Sequence, residues 1–121
     1  SRNILSNILR KQLKFNGLVV SDDLNMHGIA GLMSVPAAAE QAINAGSDLL
    51  LLRSDLSTQQ KTLEHLKSAL HKKQLQITQL QASLNRLDVC KERYGSAQAK
   101  ADLSIIAAPA HRELNARFRS A

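Results

Sequence analysis

The sequence has few of the residue types that cross-link or enlarge a small core. Among its 121 residues are one cysteine, Cys90, two prolines and no tryptophan. A single thiol excludes an internal disulfide framework and fits a reducing compartment. Since Cys90 lies in a predicted helix, we interpret it as a small apolar packing residue and not as a nucleophile. With two phenylalanines and one tyrosine as its aromatic residues, the core has to be built from aliphatic side chains.

Long runs of apolar or basic residues are also missing. No apolar run approaches the roughly 18 residues that a transmembrane helix needs, so no membrane span is predicted. The formal net charge is +6, but Lys and Arg are scattered and aromatic stacking residues are scarce. We therefore predict solvated helix faces and no nucleic-acid partner. No signal peptide is predicted within these residues; because the sequence begins with Ser1, we expect its true beginning to lie further upstream.

Two short apolar segments are predicted strands, and helical patterns surround them. Leu18–Val20 is an unbroken apolar run, and so are the four leucines 49–52 within the second predicted strand, 48–52. Such runs are typical of strands in a parallel sheet covered on both faces. Five helices are predicted. The first covers residues 2–14, and the second runs from Pro36 to Gly46. The third begins after a cap at Asp55 or Ser57, the fourth ends at Gly95, and the fifth begins after Pro109. The residues expected on the inner helix faces are Ile4, Leu5, Ile8, Leu9 and Leu13, then Leu63, Leu66 and Leu70, then Ile77, Leu80, Leu84, Leu87 and Cys90.

Alternating helices and strands predict an α/β fold with parallel pairing. A sheet of two strands is not stable alone, and strands that are apolar on both faces need neighbours that this chain does not supply. We therefore predict that the chain is a fragment of a larger domain. Its open strand edges predict self-association or pairing with a missing N-terminal part.

The stretch KFNGLVVSDDLNMHGIAG, residues 14–31, places two aspartates directly after the first predicted strand. It resembles the nucleophile segment of glycoside hydrolase family 3, and of its β-N-acetylglucosaminidase branch in particular. The matching residues are Phe15, Gly17, Leu18, Val19, Val20, Ser21, Asp22, Asp23, Leu24 and Met26. The segments AAAEQAINAGSDLLLL, SLNRLDVCKERYG and HRELNARF also resemble the family, in the same order, so the resemblance covers most of the chain.

The resemblance implies a (β/α)8 barrel of the TIM type. The chain would hold its last two strands with their helices, followed by extra helices. Such barrels need roughly 250 residues, which agrees with a C-terminal fragment. Residues 1–95 are predicted to be the C-terminal part of the catalytic domain, and residues 96–121 a linker and helix leading out of the barrel.

The resemblance also implies a retaining glycoside hydrolase that removes terminal β-N-acetylglucosamine from muropeptides or chitooligosaccharides. By the family pattern Asp22 is the nucleophile, and the carboxyl end of a barrel strand suits that role. The His and Asp that transfer protons are expected on a loop upstream of Ser1, so His27 is interpreted as an ordinary loop residue. Met26 and Arg53 are candidate substrate-binding residues, with core packing and simple solvation as the respective alternatives.

A carbohydrate is the expected partner, and no cofactor or metal site is predicted, because the histidines lie far apart. The compartment is expected to be the bacterial cytoplasm, or the periplasm or exterior if upstream residues carry a signal. The isolated chain is expected to be inactive. Two alternatives stay open: a non-catalytic basic helical interaction module, and a β-glucosidase of the same family. Family glucosidases more often carry Trp where this chain has Asp23.

Overall fold

The computed structural model describes residues 1–26, 31–95 and 108–119, and places two paired strands among helices. The elements in chain order are an N-terminal π-helix (Asn3–Gln12), β1 (Val20–Asp23), α1 (Val35–Ala45), β2 (Leu49–Leu51), α2 (Leu56–His71), α3 (Ile77–Tyr94) and α4 (Pro109–Arg119). The two strands pair in parallel, as predicted from the alternation of helices and strands. The predicted boundary at residue 96 borders a segment outside the described residues and stays a prediction.

The pairing of the strands is irregular. Val20 pairs with Leu49 and Asp23 with Leu51, so β1 holds one residue more than β2 between these pairs. This extra residue is a β-bulge, a feature that bends a strand and re-aims its side chains. The paired segment also begins later than predicted. Leu18 and Val19 precede the strand, and the Val19 carbonyl accepts the N–H groups of Asp48 and Leu49, at 2.8 and 3.2 Å.

Helices cover one face of this small sheet. Leu24, Ala38 and Ala39 are the buried centre of the core, and the partly buried residues packed against it are Met33, Val35, Ala42, Leu50, Leu52 and Leu66. The other face is open: Val20 is 48%, Leu49 36% and Leu51 52% exposed. In the described part of this chain each strand is therefore covered on one face only, and the further neighbours that the unbroken apolar runs predict for both strands stay a prediction. Among the described residues, no element covers the second face.

The first helix differs from the expected α-helix in its winding. The Leu13 N–H bonds to the Ile8 carbonyl five residues back, at 2.9 Å, which is the π-helical pattern. The wider turn changes which residues share a face. Leu5 and Leu9 are partly buried, whereas Ile4, Ile8 and Leu13 are exposed, so the predicted face is only partly correct.

The turn after α1 was predicted correctly. Pro36 lies in the first turn of α1, and Gly46 ends the helix with a left-handed φ of 117°. A Cβ at Gly46 would lie 3.4 Å from Ser6 Oγ, and that hydroxyl donates to the Ala45 carbonyl at 3.3 Å. The π-helix therefore packs closely against the end of α1.

Helices α2 and α3 follow the predicted leucine spacing only in part. In α2, Thr62 and Ala69 are buried and Leu66 reaches the core, while Leu63 and Leu70 are exposed. Small side chains let α2 lie close to α1. Asp55 is the cap, since its carboxylate accepts the Thr58 N–H at 2.7 Å.

In α3, Ile77 and Leu84 are exposed, whereas Leu80, Leu87 and Cys90 are half-buried. Polar side chains attach this helix to the rest of the chain, among them Gln79, which donates to the Ile43 carbonyl. No helix within the described ranges combines the length and the apolar character that crossing a membrane requires.

Candidate active site at the carboxyl ends of the strands

The aspartate doublet lies at the carboxyl end of β1, and its two members differ in environment. Asp22 is exposed, and its Oδ1 accepts the N–H of Asp23 at 2.8 Å. Within the described residues this is the one hydrogen bond that the Asp22 carboxylate accepts. Its second oxygen is therefore available to a ligand on the open side of the sheet.

Asp23 is held by main-chain groups instead. Its Oδ1 accepts the N–H groups of Asn25 and Arg53, both at 3.0 Å. The Arg53 N–H, then the Asn25 N–H, and to a smaller extent the Arg53 charge lower the pKa of Asp23 against a weak opposing effect of burial. Asp23 is therefore ionised at neutral pH and is unsuited to donate a proton there.

The residue before Asp22 also binds the second strand. The Leu51 N–H donates to Ser21 Oγ at 3.0 Å, and the Leu24 N–H donates to the Leu51 carbonyl at 3.0 Å. Ser21 thus binds β2 and Asp23 binds Arg53 just after β2, while Asp22 between them lies on the exposed side. The bulge and these bonds together set the direction of the Asp22 carboxylate.

The candidate substrate-binding residues lie close to the doublet in different ways. Arg53 is exposed; its N–H binds Asp23, and its carbonyl accepts from Asn25 Nδ2 at 3.1 Å. Met26 is 48% exposed and closes the turn after β1, where its N–H donates to the Asp23 carbonyl at 3.3 Å. Roles in substrate binding stay predictions for both residues. His27 lies outside the described residues.

At the opposite, amino end of the strands, an aspartate that the sequence reading treated only as a strand start has a structural role. The Asp48 side chain is fully buried. Its Oδ2 accepts from Arg10 Nη2 at 2.6 Å and from the Val19 N–H at 2.8 Å. Its Oδ1 accepts from Ser83 Oγ at 2.7 Å and from Arg86 Nη2 at 2.7 Å. One carboxylate thus joins the π-helix, β1 and α3.

The electrostatics of Asp48 follow from these contacts. Burial acts to raise its pKa, but the hydrogen bonds from Arg86, Ser83 and Val19, with the charge of Arg86, together outweigh it and lower the pKa. A signal was present in the sequence, because an acidic residue directly before a run of leucines needs buried partners. The sequence did not say which of the dispersed arginines would supply them.

Arg10 extends this network to the segment that leads into β1. Its Nη1 donates to the carbonyls of Phe15 and Gly17, at 2.9 and 2.6 Å. Its guanidinium also lies over the Phe15 ring, 5.4 Å from the ring centre. The Arg10 side chain thereby fixes the path of the backbone that leads into β1.

Across 1–26, 31–95 and 108–119, no group of three or more His, Cys, Asp or Glu side chains is placed to hold a metal ion.

Comparison with known proteins assigns the family. Residues 1–89 match the family model described as the glycosyl hydrolase family 3 N terminal domain. The chain belongs to glycoside hydrolase family 3. Among curated family 3 relatives, a beta-hexosaminidase of Psychromonas ingrahamii is 38% identical over 82 residues, which are 68% of this chain and 24% of the relative. The beta-hexosaminidase A of Pseudoalteromonas piscicida is 29% identical over 126 residues, 98% of this chain and 21% of the relative.

Solved family 3 structures agree with this assignment. The β-N-acetylglucosaminidase of Thermotoga maritima superposes with a TM-score of 0.66 at 27% identity, covering 74% of this chain and 20% of that one. The β-N-acetylglucosaminidase of a Paenibacillus species reaches a TM-score of 0.78 at 30% identity, covering 98% of this chain and 23% of that one. The chain thus spans less than a quarter of each of these relatives, and the predicted family is confirmed.

Proposed function

We propose that this chain is the C-terminal part of the (β/α)8 catalytic domain of a retaining β-N-acetylglucosaminidase. Residues 1–95 would supply the last two strands with their helices, and residues 96–121 would lead out of the barrel. The family assignment, the parallel strand pair and the length of the relatives support this proposal. The observation that carries it is the exposed Asp22 carboxylate at the carboxyl end of β1, where barrel enzymes place catalytic side chains.

In this proposal Asp22 is the nucleophile. One of its oxygens attacks the anomeric carbon of the terminal sugar, the bond to the leaving oxygen breaks, and a general acid protonates that oxygen. Water then attacks the same carbon of the glycosyl-aspartate ester, gives a proton to the same residue now acting as base, and frees Asp22. Two displacements retain the β configuration. Substrates would be muropeptides or chitooligosaccharides that end in β-N-acetylglucosamine.

The proton-transfer residue is expected outside the described residues. Asp23 is unsuited to this role, because its Oδ1 accepts two main-chain N–H groups and its pKa is lowered. We expect the His and Asp pair that the family resemblance implies, on an upstream loop. Arg53 would screen the charge of the doublet and contact polar groups of the substrate, and Met26 would form an apolar wall beside it.

The open sheet face defines the expected partner. Val20, Leu49 and Leu51 expose apolar surface beside Asp22, and exposed strand edges associate readily. We propose that this face pairs with the upstream part of the barrel, and that the chain alone self-associates and is inactive. Sedimentation of the 121-residue chain should show species larger than a monomer. A stable monomer that hydrolyses a chromogenic β-N-acetylglucosaminide would contradict both statements.

A fused enzyme tests the nucleophile directly. All 121 residues are joined to the upstream part of the Psychromonas ingrahamii beta-hexosaminidase, in place of its matching segment, and kcat is measured on the same chromogenic substrate. Asp22→Asn keeps the size of the side chain but removes the nucleophilic charge. We expect kcat to fall by at least about 10³-fold, and acid-quenched turnover of the unsubstituted fusion to give an Asp22 peptide heavier by one sugar.

Two outcomes would count against the proposal. Wild-type kcat in the Asp22→Asn fusion would remove Asp22 from the mechanism. A fusion that folds, lacks turnover and binds nucleic acid in a salt-dependent way would favour the basic interaction module instead.

A further inference from the structure

The two neighbours of Asp22 have one property in common: each accepts a main-chain N–H at or just beyond the end of β2. Ser21 Oγ accepts the Leu51 N–H at 3.0 Å, and Asp23 Oδ1 accepts the Arg53 N–H at 3.0 Å. These bonds join segments about 30 residues apart along the chain. Side chains on both sides of Asp22 therefore fasten β1 to the end of β2.

Asp23 also fixes the turn that follows. The same Oδ1 accepts the Asn25 N–H at 3.0 Å, and Asn25 Nδ2 donates to the Arg53 carbonyl at 3.1 Å. Asp23, Asn25 and Arg53 thus form a closed set of hydrogen bonds in which Arg53 takes part through its backbone. These three hydrogen bonds determine the path of the backbone from Asp23 to Asn25.

The pairing of β1 with β2 is irregular at the same position. Val20 pairs with Leu49 and Asp23 with Leu51, so the ladder is uneven where Asp22 lies. Moving a strand by one residue turns every side chain to the other face of the sheet. A slip that evened out the pairing would therefore turn Asp22 away from the open side.

We propose that Ser21 and Asp23 are positioning residues for the nucleophile. They hold the bulged register of β1 against β2 and so keep the Asp22 carboxylate on the open face, within reach of the anomeric carbon. This inference rests on the proposed function. It assigns a use to the second aspartate of the doublet, which takes no part in bond making or proton transfer.

The bonds to Asp23 explain which substitution it tolerates. Each main-chain N–H needs an acceptor at the position of Oδ1, and an asparagine supplies one with the same reach. The charge is a lesser requirement, although the lowered pKa of Asp23 keeps that oxygen a pure acceptor at working pH. An alanine leaves the Arg53 and Asn25 N–H groups without this partner.

The test uses the fused enzyme described above, with kcat and KM measured separately. Asp23→Ala should lower kcat about ten- to hundredfold, since a misplacement of about 1 Å costs on that order, while KM changes less than about threefold. Asp23→Asn should restore kcat to within about threefold of wild type. Ser21→Ala should lower kcat about tenfold and provides a second test if Asp23→Ala does not fold.

Asp55→Ala is the matched control. Asp55 also accepts a main-chain N–H, that of Thr58 at 2.7 Å, and it lies near the same end of the sheet. Its loss removes a helix cap of the same chemical kind but should leave kcat unchanged. Equal losses of kcat in Asp55→Ala and Asp23→Ala would reduce both effects to general destabilisation and overturn the inference.

A second readout needs no turnover and uses the 121-residue chain as it is. Amide hydrogen exchange at Arg53 and Asn25 should become at least about tenfold faster in Asp23→Ala but not in Asp23→Asn, because only the alanine removes the acceptor. Unchanged exchange in Asp23→Ala, or an Asn variant as defective as the Ala variant, would overturn the inference.

The two proposals fail separately. If Asp22→Asn abolishes turnover and Asp23→Ala keeps wild-type kcat, the assignment of Asp22 as nucleophile is supported and the positioning role of Asp23 is contradicted. If Asp22→Asn keeps wild-type kcat, the proposed function falls. A rise in KM with unchanged kcat in Asp23→Ala would make Asp23 a substrate contact, and would also overturn the positioning role.

Discussion

The aspartates at the two ends of the strand pair differ in burial and in hydrogen bonding. At the amino end, Asp48 is fully buried and both of its oxygens are bound, with donors from Arg10, Val19, Ser83 and Arg86. At the carboxyl end, Asp22 is exposed, and the described residues give it a single local N–H. A carboxylate whose lone pairs are all occupied holds structure, and one with a free oxygen can act on a ligand.

Asp48, Asp23 and Asp22 can be ordered by how many protein donors their carboxylates bind. Asp23 is intermediate, since it is partly exposed while its Oδ1 is bound by two amides. Sequence position alone does not separate Asp22 from Asp23, because they are adjacent. Their hydrogen-bond partners do.

The largest predicted difference between the two ends of the strands is the loss of stability when the buried carboxylate of Asp48 is removed. Asp48→Ala should lower the free energy of unfolding by roughly 3 kcal/mol, because it leaves Arg10 and Arg86 without their buried counterion. These arginine side chains are 18% and 26% exposed, so water recovers part of the loss and the lower part of the usual range applies. Urea unfolding followed by circular dichroism measures it.

Asp22→Ala is the matched control for that measurement. It removes an aspartate from the same sheet, and its urea midpoint should stay at the wild-type value because the side chain is exposed. Equal destabilisation by the two substitutions would contradict the division between a structural and an available carboxylate. If Asp48→Ala does not fold at all, Asp48→Asn, which keeps the shape, should still be clearly less stable than wild type.

Acid should act through the amino end more than through the carboxyl end. The pKa of Asp48 is lowered below its ordinary value of 3.8, so the folded state binds fewer protons at acidic pH than the unfolded state. The stabilisation is therefore fully present above about pH 4 and is lost as the pH falls through the folded pKa. Urea midpoints measured from pH 6 to pH 2 should fall steeply in wild type and less steeply in Asp48→Asn.

The comparison variant for acid is Asp55→Asn. The Thr58 N–H lowers the pKa of Asp55 as well, but this group is exposed and solvent screens it. Its removal should flatten the acid dependence less than the removal of Asp48. The reverse order would show that the buried network is not the main acid-sensitive feature.

The smallest expected effect concerns the turn that leads into Asp48. Gly46→Ala places a Cβ at a left-handed φ of 117°, 3.4 Å from Ser6 Oγ, and should cost about 1 kcal/mol of unfolding free energy. Amide exchange should accelerate at Val19 and Asp48 and stay unchanged at Arg53. Acceleration at both ends of the strands would show that the two ends are not independent.

Local signals predicted much of this fold. Pro36 and Gly46 marked the limits of α1, and the alternation of elements marked the parallel pair. The cap of α2 was predicted to be Asp55 or Ser57, and it is Asp55. These features are decided by a few neighbouring residues, so the sequence carries them directly.

Features that depend on distant residues were missed. The leucine spacing of α2 and α3 predicted apolar inner faces, but α2 packs through Thr62 and Ala69, and α3 is attached through Ser83 and Arg86. Periodicity gives the apolar stripe of a helix, and the neighbouring elements decide how much of it is covered. The one-residue bulge in β1 gave no signal in the sequence, since it is a property of the pairing of two strands.

The bulge has a practical consequence for protein engineering. A strand like β1 transplanted into another protein would need more than Asp22, because the direction of that side chain depends on the number of residues in two paired strands. The smallest transferable module is the segment from Val20 to Asn25 together with a partner backbone that presents the amides of Leu51 and Arg53. Deleting one residue from the segment would leave its chemistry intact and point it at the wrong side.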